Sequence, residues 1–227
     1  VKRGICERGG WYVPAFDTYF SAFLGDEMVG RNKPPRINPF QRSHLLAAFE
    51  YVKDFTCAID IGAHVGFWTV DLAQRFNLVF AIEPNPTNFA CLVKNTSNLD
   101  NVFHFNAALG EKVGSVNSIS DLKRQGNSGS YHVRVIEEGE IPMFFLDGLE
   151  LPRIGLLKID VEGFEPYVLR GAEKTIERER PVIHMEADKF FKGRYDEPEG
   201  AAERWLLDHD YEEVWHERPN KIFVPRG

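Results

Sequence analysis

Cysteine is scarce in this chain: Cys6, Cys57 and Cys91 are the only ones in 227 residues. An odd number without paired spacing argues against a disulfide framework or a cysteine-based zinc site and suits a reducing compartment. Positive charge is not in excess either. The formal net charge is -7 and no dense Lys/Arg cluster stands anywhere, so nucleic acid is not expected as a partner. Long apolar runs are missing, and no signal-peptide pattern opens the chain; the expectation is a soluble cytoplasmic protein with no membrane partner. His44, His104, His209 and His216 are scattered without ligand spacing, so no metal site is expected. Internal repeats are absent, as is any linker long enough to separate a pair of domains.

What is present is the composition of a globular protein, 43% hydrophobic and 27% charged, with enough chain to bury a sizeable core. Residues 1–38 are aromatic-rich but punctuated by Gly9-Gly10 and Lys33-Pro34-Pro35, too often for long elements. This stretch reads as a flap, residues 1–42, ahead of a single domain at 43–227. Its aromatics either pack on the core or, through Trp11, Tyr12 and Tyr19, cover a substrate pocket.

Ser43 is placed to cap a helix running to about Lys53. Cys57 to Ile61, Leu78 to Ile82, Val102 to Phe105, Ile154 to Asp160 and Pro181 to Glu186 read as core strands, mostly apolar throughout. Helices are expected from Val65 to about Arg75, from Asn85-Pro86 onward, from Glu165 to about Arg178, and from about Glu199 to Asp208. Val113 to Ile119 and Tyr131 to Ile136 read as an antiparallel pair. Tyr211 to Trp215 and Ile222 to Val224 close the chain around a turn at Arg218-Pro219-Asn220. Strands alternating with helices, then an antiparallel pair, describe an α/β fold with a doubly wound, mostly parallel sheet and a C-terminal antiparallel hairpin.

Three acids end successive core strands: Asp60, Glu83 and Asp160. Strand carboxyl ends lie along one sheet edge, so these side chains can meet in one crevice. Glu83 follows Gly62 by 21 residues, near the offset at which an acid meets ribose hydroxyls. Gly62 and Gly66 allow a ligand close to the backbone. The third glycine of a dinucleotide fingerprint is missing, His64 takes the middle position, and Asp60 precedes the turn. A diphosphate would be repelled there, whereas acids favour the sulfonium and ammonium of S-adenosylmethionine.

Asp60-Ile61-Gly62-Ala63-His64-Val65-Gly66, Glu83-Pro84-Asn85-Pro86, Asn106-Ala107-Ala108-Leu109-Gly110 and Leu157-Lys158-Ile159-Asp160-Val161-Glu162-Gly163-Phe164-Glu165 follow in that order. With Val168-Leu169-Arg170-Gly171-Ala172, they resemble the FkbM family of S-adenosylmethionine-dependent methyltransferases over about Thr56 to Glu186. The resemblance implies the class I methyltransferase fold, a seven-stranded Rossmann-like sheet. It also implies methyl transfer to oxygen on a sugar or other small natural product. By this likeness Gly62, Ala63, His64 and Gly66 line the amino-acid part of the donor. Glu83 takes the ribose with Pro84 and Asn85 beside it, Asn106 and Ala107 flank the adenine, and Asp160 and Glu162 face the reacting centre.

An alcohol must lose its proton when it is methylated. Asp160 is the first candidate base, followed by Glu162, His184 and Glu186; Lys158, two residues away on the same strand face, can tune Asp160. Asp160 can equally serve to position the donor's amino group, Glu162 to satisfy backbone amides before the next helix, and His184 to fill the core. Acceptor choice is assigned to the flap, to residues 125–131 and to residues 190–195. The competing readings are a catalytically silent donor-binding protein, an RNA ribose methyltransferase and an NAD-dependent oxidoreductase.

Overall fold

The structure, a computed structural model, describes residues 4–24, 41–121, 124–187 and 193–227. Lys33-Pro34-Pro35 of the flap, and Phe190 and Phe191 of the acceptor loop, lie outside the described residues. In chain order the first elements are β1 (Ile5–Arg8), β2 (Trp11–Pro14), α1 (Tyr19–Leu24), α2 (Arg42–Tyr51), β3 (Cys57–Ile61), α3 (Phe67–Ala73) and β4 (Leu78–Ile82). Then come α4 (Pro86–Asn95), β5 (Val102–Phe105), β6 (Ala108–Leu109), β7 (Gly114–Ser120), β8 (Tyr131–Val135) and β9 (Ile141–Phe144). The last are β10 (Ile154–Ile159), α5 (Glu165–Arg170), α6 (Glu173–Glu179), β11 (Val182–Glu186), α7 (Ala201–Asp208), β12 (Tyr211–Glu217) and β13 (Asn220–Pro225).

Seven strands form the main sheet in the order β12-β13-β11-β10-β3-β4-β5. β5, β4, β3, β10 and β11 run parallel, and β13 returns antiparallel between β11 and β12. The doubly wound, mostly parallel sheet with its C-terminal hairpin is therefore present. Strand residues alternate between two cores. Ile59, Leu157 and Ile183 pack toward Leu169, Ile176 and Leu206, while Ala58, Leu156 and Ile222 pack toward Leu45, Trp68 and Leu72. Among the described residues no helix is long and apolar enough to cross a membrane.

The described flap residues 4–24 form more regular structure than their punctuation suggests. Gly9 and Gly10 take φ of 55° and 85° and pair Arg8 with Trp11 across a two-residue turn, the left-handed geometry that tight hairpins require. Alternation along β2 buries Trp11 and Val13 against Phe67 and Cys91, and Asn95 holds the backbone N–H and carbonyl of Tyr12. Trp11 and Tyr12 therefore anchor the flap, and Tyr19 alone of the three lines the large cavity described below.

Other expectations are corrected locally. Helix α2 opens at Arg42 after a left-handed Gln41, so Ser43 lies inside it and does not cap it. The helix expected from Glu165 to about Arg178 breaks at Gly171, where the carbonyl of Gly110 occupies the space a Cβ would need and so requires glycine. Asp147 then accepts from the backbone N–H groups of Lys174 and Thr175 and restarts it as α6. The antiparallel pair β7–β8 belongs to a second, four-stranded sheet completed by β9 and β6. Asn220 begins β13 and is not part of the turn before it.

Candidate active site

Register places Lys158 directly between Asp60 and His184 on neighbouring strands. All three are buried. Lys158 Nζ donates to the carbonyl of Gly62 at 2.7 Å and lies 3.1 Å from Asp60 Oδ1 and 3.6 Å from Asp160 Oδ2. Asp60 Oδ2 accepts from Thr69 Oγ1 at 2.6 Å. Burial alone would lower the Lys158 pKa, but Asp60 and Asp160 outweigh it and raise it, so the ammonium stays charged beneath the strand ends.

Where β3 ends, the N–H groups of Gly62 and Ala63 donate to the carbonyl of Ile82, and Gly62 has φ of 78°. A Cβ at Gly62 would collide with the carbonyl of Asp160, so the turn admits no other residue. The backbone N–H of His64 reaches Glu83 Oε2 at 2.9 Å and that of Asn85 reaches Oε1 at 2.8 Å. Burial still pushes Glu83 up to about 7 against these bonds. His64 Nε2 lies 2.7 Å from Ser128 Oγ, and burial takes its imidazole down to about 4 against the pull of Asp17. Asp17 accepts from the N–H groups of Phe20 and Ser128, tying the flap and the 124–130 loop to the turn.

Asp160 and Glu186 end neighbouring strands and share a hydrogen bond. Burial would raise both. Lys158 and the Glu186 hydrogen bond hold Asp160 below the ordinary carboxylate range. Burial and the Asp160 charge push Glu186 well above it. The opposite directions leave Asp160 the more acidic member of the hydrogen-bonded pair and Glu186 the one that holds its proton more tightly. Glu162 faces Arg194, whose Nη1 donates to Oε2 at 3.1 Å, and burial with Asp160 pushes it up to about 8. The amide-satisfying role falls to Glu165, whose Oε1 accepts from the N–H groups of Val161 and Gly163.

These groups surround a cavity of about 730 Å³, ample for a nucleoside-sized ligand and a second small molecule. Gly62, Ala63, His64, Glu83, Pro84, Ala107, Asp160, Glu162 and Glu186 all line it. Five candidates do not. Asp60 lies beneath the wall on Lys158 and Thr69, and Gly66 packs on Leu92 at the start of α3. Asn85 caps α4 through the N–H groups of Thr87 and Asn88. The Asn106 amide donates to the carbonyls of Glu83 and Pro84. His184 is fully buried against Trp68, 4.4 Å between ring centroids, and burial takes it down to about 3; it is a neutral core residue.

Gln41 of the flap and Ser128 of the 125–131 loop line the cavity, as do His44, Asn88 and Asn220, which the sequence did not single out for the site. For Asn88 a signal existed, since it follows the Asn85 cap by one helical turn. Away from the cavity, Glu173, Glu177 and His209 bring ligand atoms within 4.8 Å of one another, a surface grouping that linear spacing did not reveal.

A family model described as the Methyltransferase FkbM domain matches residues 60–213. The chain belongs to the FkbM methyltransferase family. The hexuronic acid methyltransferase AglP of Haloferax volcanii is 26% identical over 131 residues, 55% of this chain and 53% of that protein. The chain thus spans about half the length of this curated relative. The crystal structure of an FkbM methyltransferase from Methylobacillus flagellatus KT superposes with a TM-score of 0.52 at 18% identity, over 74% of this chain and 43% of that one. The N-methyltransferase NodS of Bradyrhizobium japonicum WM9 gives 0.50 at 11% identity, over 84% and 98%. At such identities the likeness is one of fold, and it is the class I methyltransferase fold. The cofactor of this FkbM chain is S-adenosylmethionine. The cavity fits it: Asp160, held low, and the part-ionised Glu83 put negative charge on a wall that also carries Glu162 and Glu186, a lining that suits a sulfonium and an ammonium better than a diphosphate.

Proposed function

We propose that this chain methylates a hydroxyl of a sugar or similar polyhydroxylated small molecule, with Asp160 taking the hydroxyl proton. The observation that carries this reading is the Asp160–Glu186 pair, brought together on the cavity wall at the ends of neighbouring strands with Lys158 Nζ 3.6 Å from Asp160 Oδ2. S-adenosylmethionine supplies, when bound, an electrophilic methyl group on a cationic sulfur that departs as a neutral thioether. Little else is asked of the protein beyond alignment and a proton acceptor. Asp160 is ionised at neutral pH and accepts the proton as the new oxygen–carbon bond forms. Glu186 stabilises the carboxylate by donating to it, and the Lys158 ammonium keeps it ionised.

Gly62, Ala63, His64, Glu83, Pro84 and Ala107 form the donor half of the site in this reading. Asp60, Gly66, Asn85 and Asn106 support those residues from behind. Residues 43–227 act as the catalytic unit, with the 1–42 flap contributing Tyr19 and Phe20 to the wall. The hexuronic acid named for the AglP relative supports a sugar acceptor, and Arg124 on the wall is a cation suited to a uronate carboxyl. Mass spectrometry of products from methyl glycosides of glucose and glucuronic acid tests the proposal. A mass gain of one methyl on oxygen supports it; transfer only to amines or to RNA rejects it.

Glu83 makes donor binding dependent on pH. Only the ionised carboxylate offers both oxygens as acceptors to a ribose diol. Burial has raised its pKa to about 7, so the ionised fraction grows as pH rises. Affinity for S-adenosylhomocysteine is expected to increase about tenfold between pH 6 and pH 8 by proton linkage. Titration calorimetry at several pH values measures this, and Glu83→Gln should bind weakly with a flat profile. A wild-type profile as flat as that of the variant removes Glu83 from the ribose.

A further inference from the structure

The end of the cavity beyond Asp160 holds polar groups that the donor half does not use. Asn220 lines the cavity and is 1% exposed. Neither its Oδ1 nor its Nδ2 has a hydrogen-bond partner among the described residues. His44 lines the same cavity with Nδ1 buried and unpartnered, while its Nε2 sits 3.7 Å from Glu217. His184, 6.2 Å from His44 between ring centroids, has both ring nitrogens unpartnered. These three residues account for five of the nine orphaned buried side-chain atoms among the described residues. Buried polar atoms without partners are uncommon and costly, and here they gather at one place.

Register fixes that place. Asn220 pairs with Glu186 across β13 and β11, and β11 adjoins β10, which leads into Asp160. Interstrand spacing of about 4.8 Å puts β13 about 10 Å from β10. The donor half lies on the other side of Asp160, over β3 and β4, where Gly62 and Glu83 stand. A group at Asn220 is therefore across the proton acceptor from the donor. The position also chooses the chemistry: a carboxamide offers one acceptor and one donor face, the complement of adjacent hydroxyls, each of which both donates and accepts.

We infer that Asn220 is the acceptor-recognition residue, its amide binding a vicinal pair of ring hydroxyls on a polyol substrate so that a neighbouring hydroxyl meets Asp160. The inference rests on the O-methylation reading and adds to it the subsite that selects the acceptor. His44 borders this subsite, and Gln41, whose Oε1 accepts from Trp68 Nε1 at 2.8 Å, lines the same cavity.

The test uses the full chain with methyl β-D-glucoside and methyl β-D-glucuronoside as acceptors. Asn220→Ala should raise the acceptor KM at least tenfold, with kcat changed less than threefold. Its dissociation constant for S-adenosylhomocysteine should stay within twofold of wild type. Asn220→Asp preserves shape but removes the donor face, and it should show the same split. A binding readout stands apart from turnover: in protein loaded with S-adenosylhomocysteine, the Asn220 side-chain amide signals should shift on adding the accepted glycoside. If a glycoside is methylated while both variants keep the wild-type KM, or the amide signals stay still, Asn220 is not the acceptor residue and the O-methylation reading survives. If wild type neither binds nor methylates either glycoside, that reading falls and this inference with it.

Discussion

Asp160→Asn is expected to slow methyl transfer by about 10²–10⁴-fold, with S-adenosylhomocysteine affinity changed by no more than about threefold. The substitution keeps the shape of the side chain and removes its capacity to take a proton. Single-turnover rates beside calorimetry separate the two effects. The alternative role, holding the donor's amino group, predicts the reverse split: weakened donor binding with a modest rate change. The size of the loss depends on Glu186. Its pKa is lifted by burial and by the Asp160 charge, so removing that charge brings it down and makes Glu186 more available as a poorer, substitute base. Asp160→Asn/Glu186→Gln should then be slower than the product of the two single effects. Strict additivity would mean that the two carboxyls are not coupled.

Lys158→Met is the second large effect, on stability. The ammonium is buried between Asp60 and Asp160, and Asp60 is fully inaccessible with Thr69 as its other polar contact. Removing one partner from a buried ion pair strands the other, at about 3–5 kcal/mol. For a domain of this size that corresponds to a fall in Tm of roughly 6–20 °C. Adding Asp60→Asn removes the stranded charge, so Asp60→Asn/Lys158→Met should recover much of the loss. A single variant that melts with wild type would show that the pair carries no such load. The carbonyl of Gly62 also loses its donor, so donor affinity should fall even in the recovered double variant.

The main-sheet strands were readable because they are buried on both faces, and a continuous apolar run marks such a strand without knowledge of its neighbours. The Asn85 cap was readable because cap and capped N–H groups lie within one turn. Where a partner came from far along the chain, reading failed. The need for glycine at 171 depends on the carbonyl of Gly110. Gln41 sits at the start of α2 bonded to Trp68, and Asn220 resembled a turn residue until β13 was seen to pair with β11.

The sequence by itself determined the family of this protein and the cofactor that goes with it. Gly62, the acid at Glu83 and the Lys158 to Glu165 string are local patterns, set by what a strand end and a tight turn can accommodate, and they led to the family and its cofactor. Tertiary structure alone decided the division of labour among the acids. Asp60 went beneath the wall, Asp160 and Glu186 became one hydrogen-bonded pair, and Glu165 took the amides expected of Glu162. It also brought His44 and Asn220 to the far end of the cavity. Protonation and hydrogen-bond partnership depend on burial and on neighbours across the sheet, and neither is encoded within any one stretch of chain.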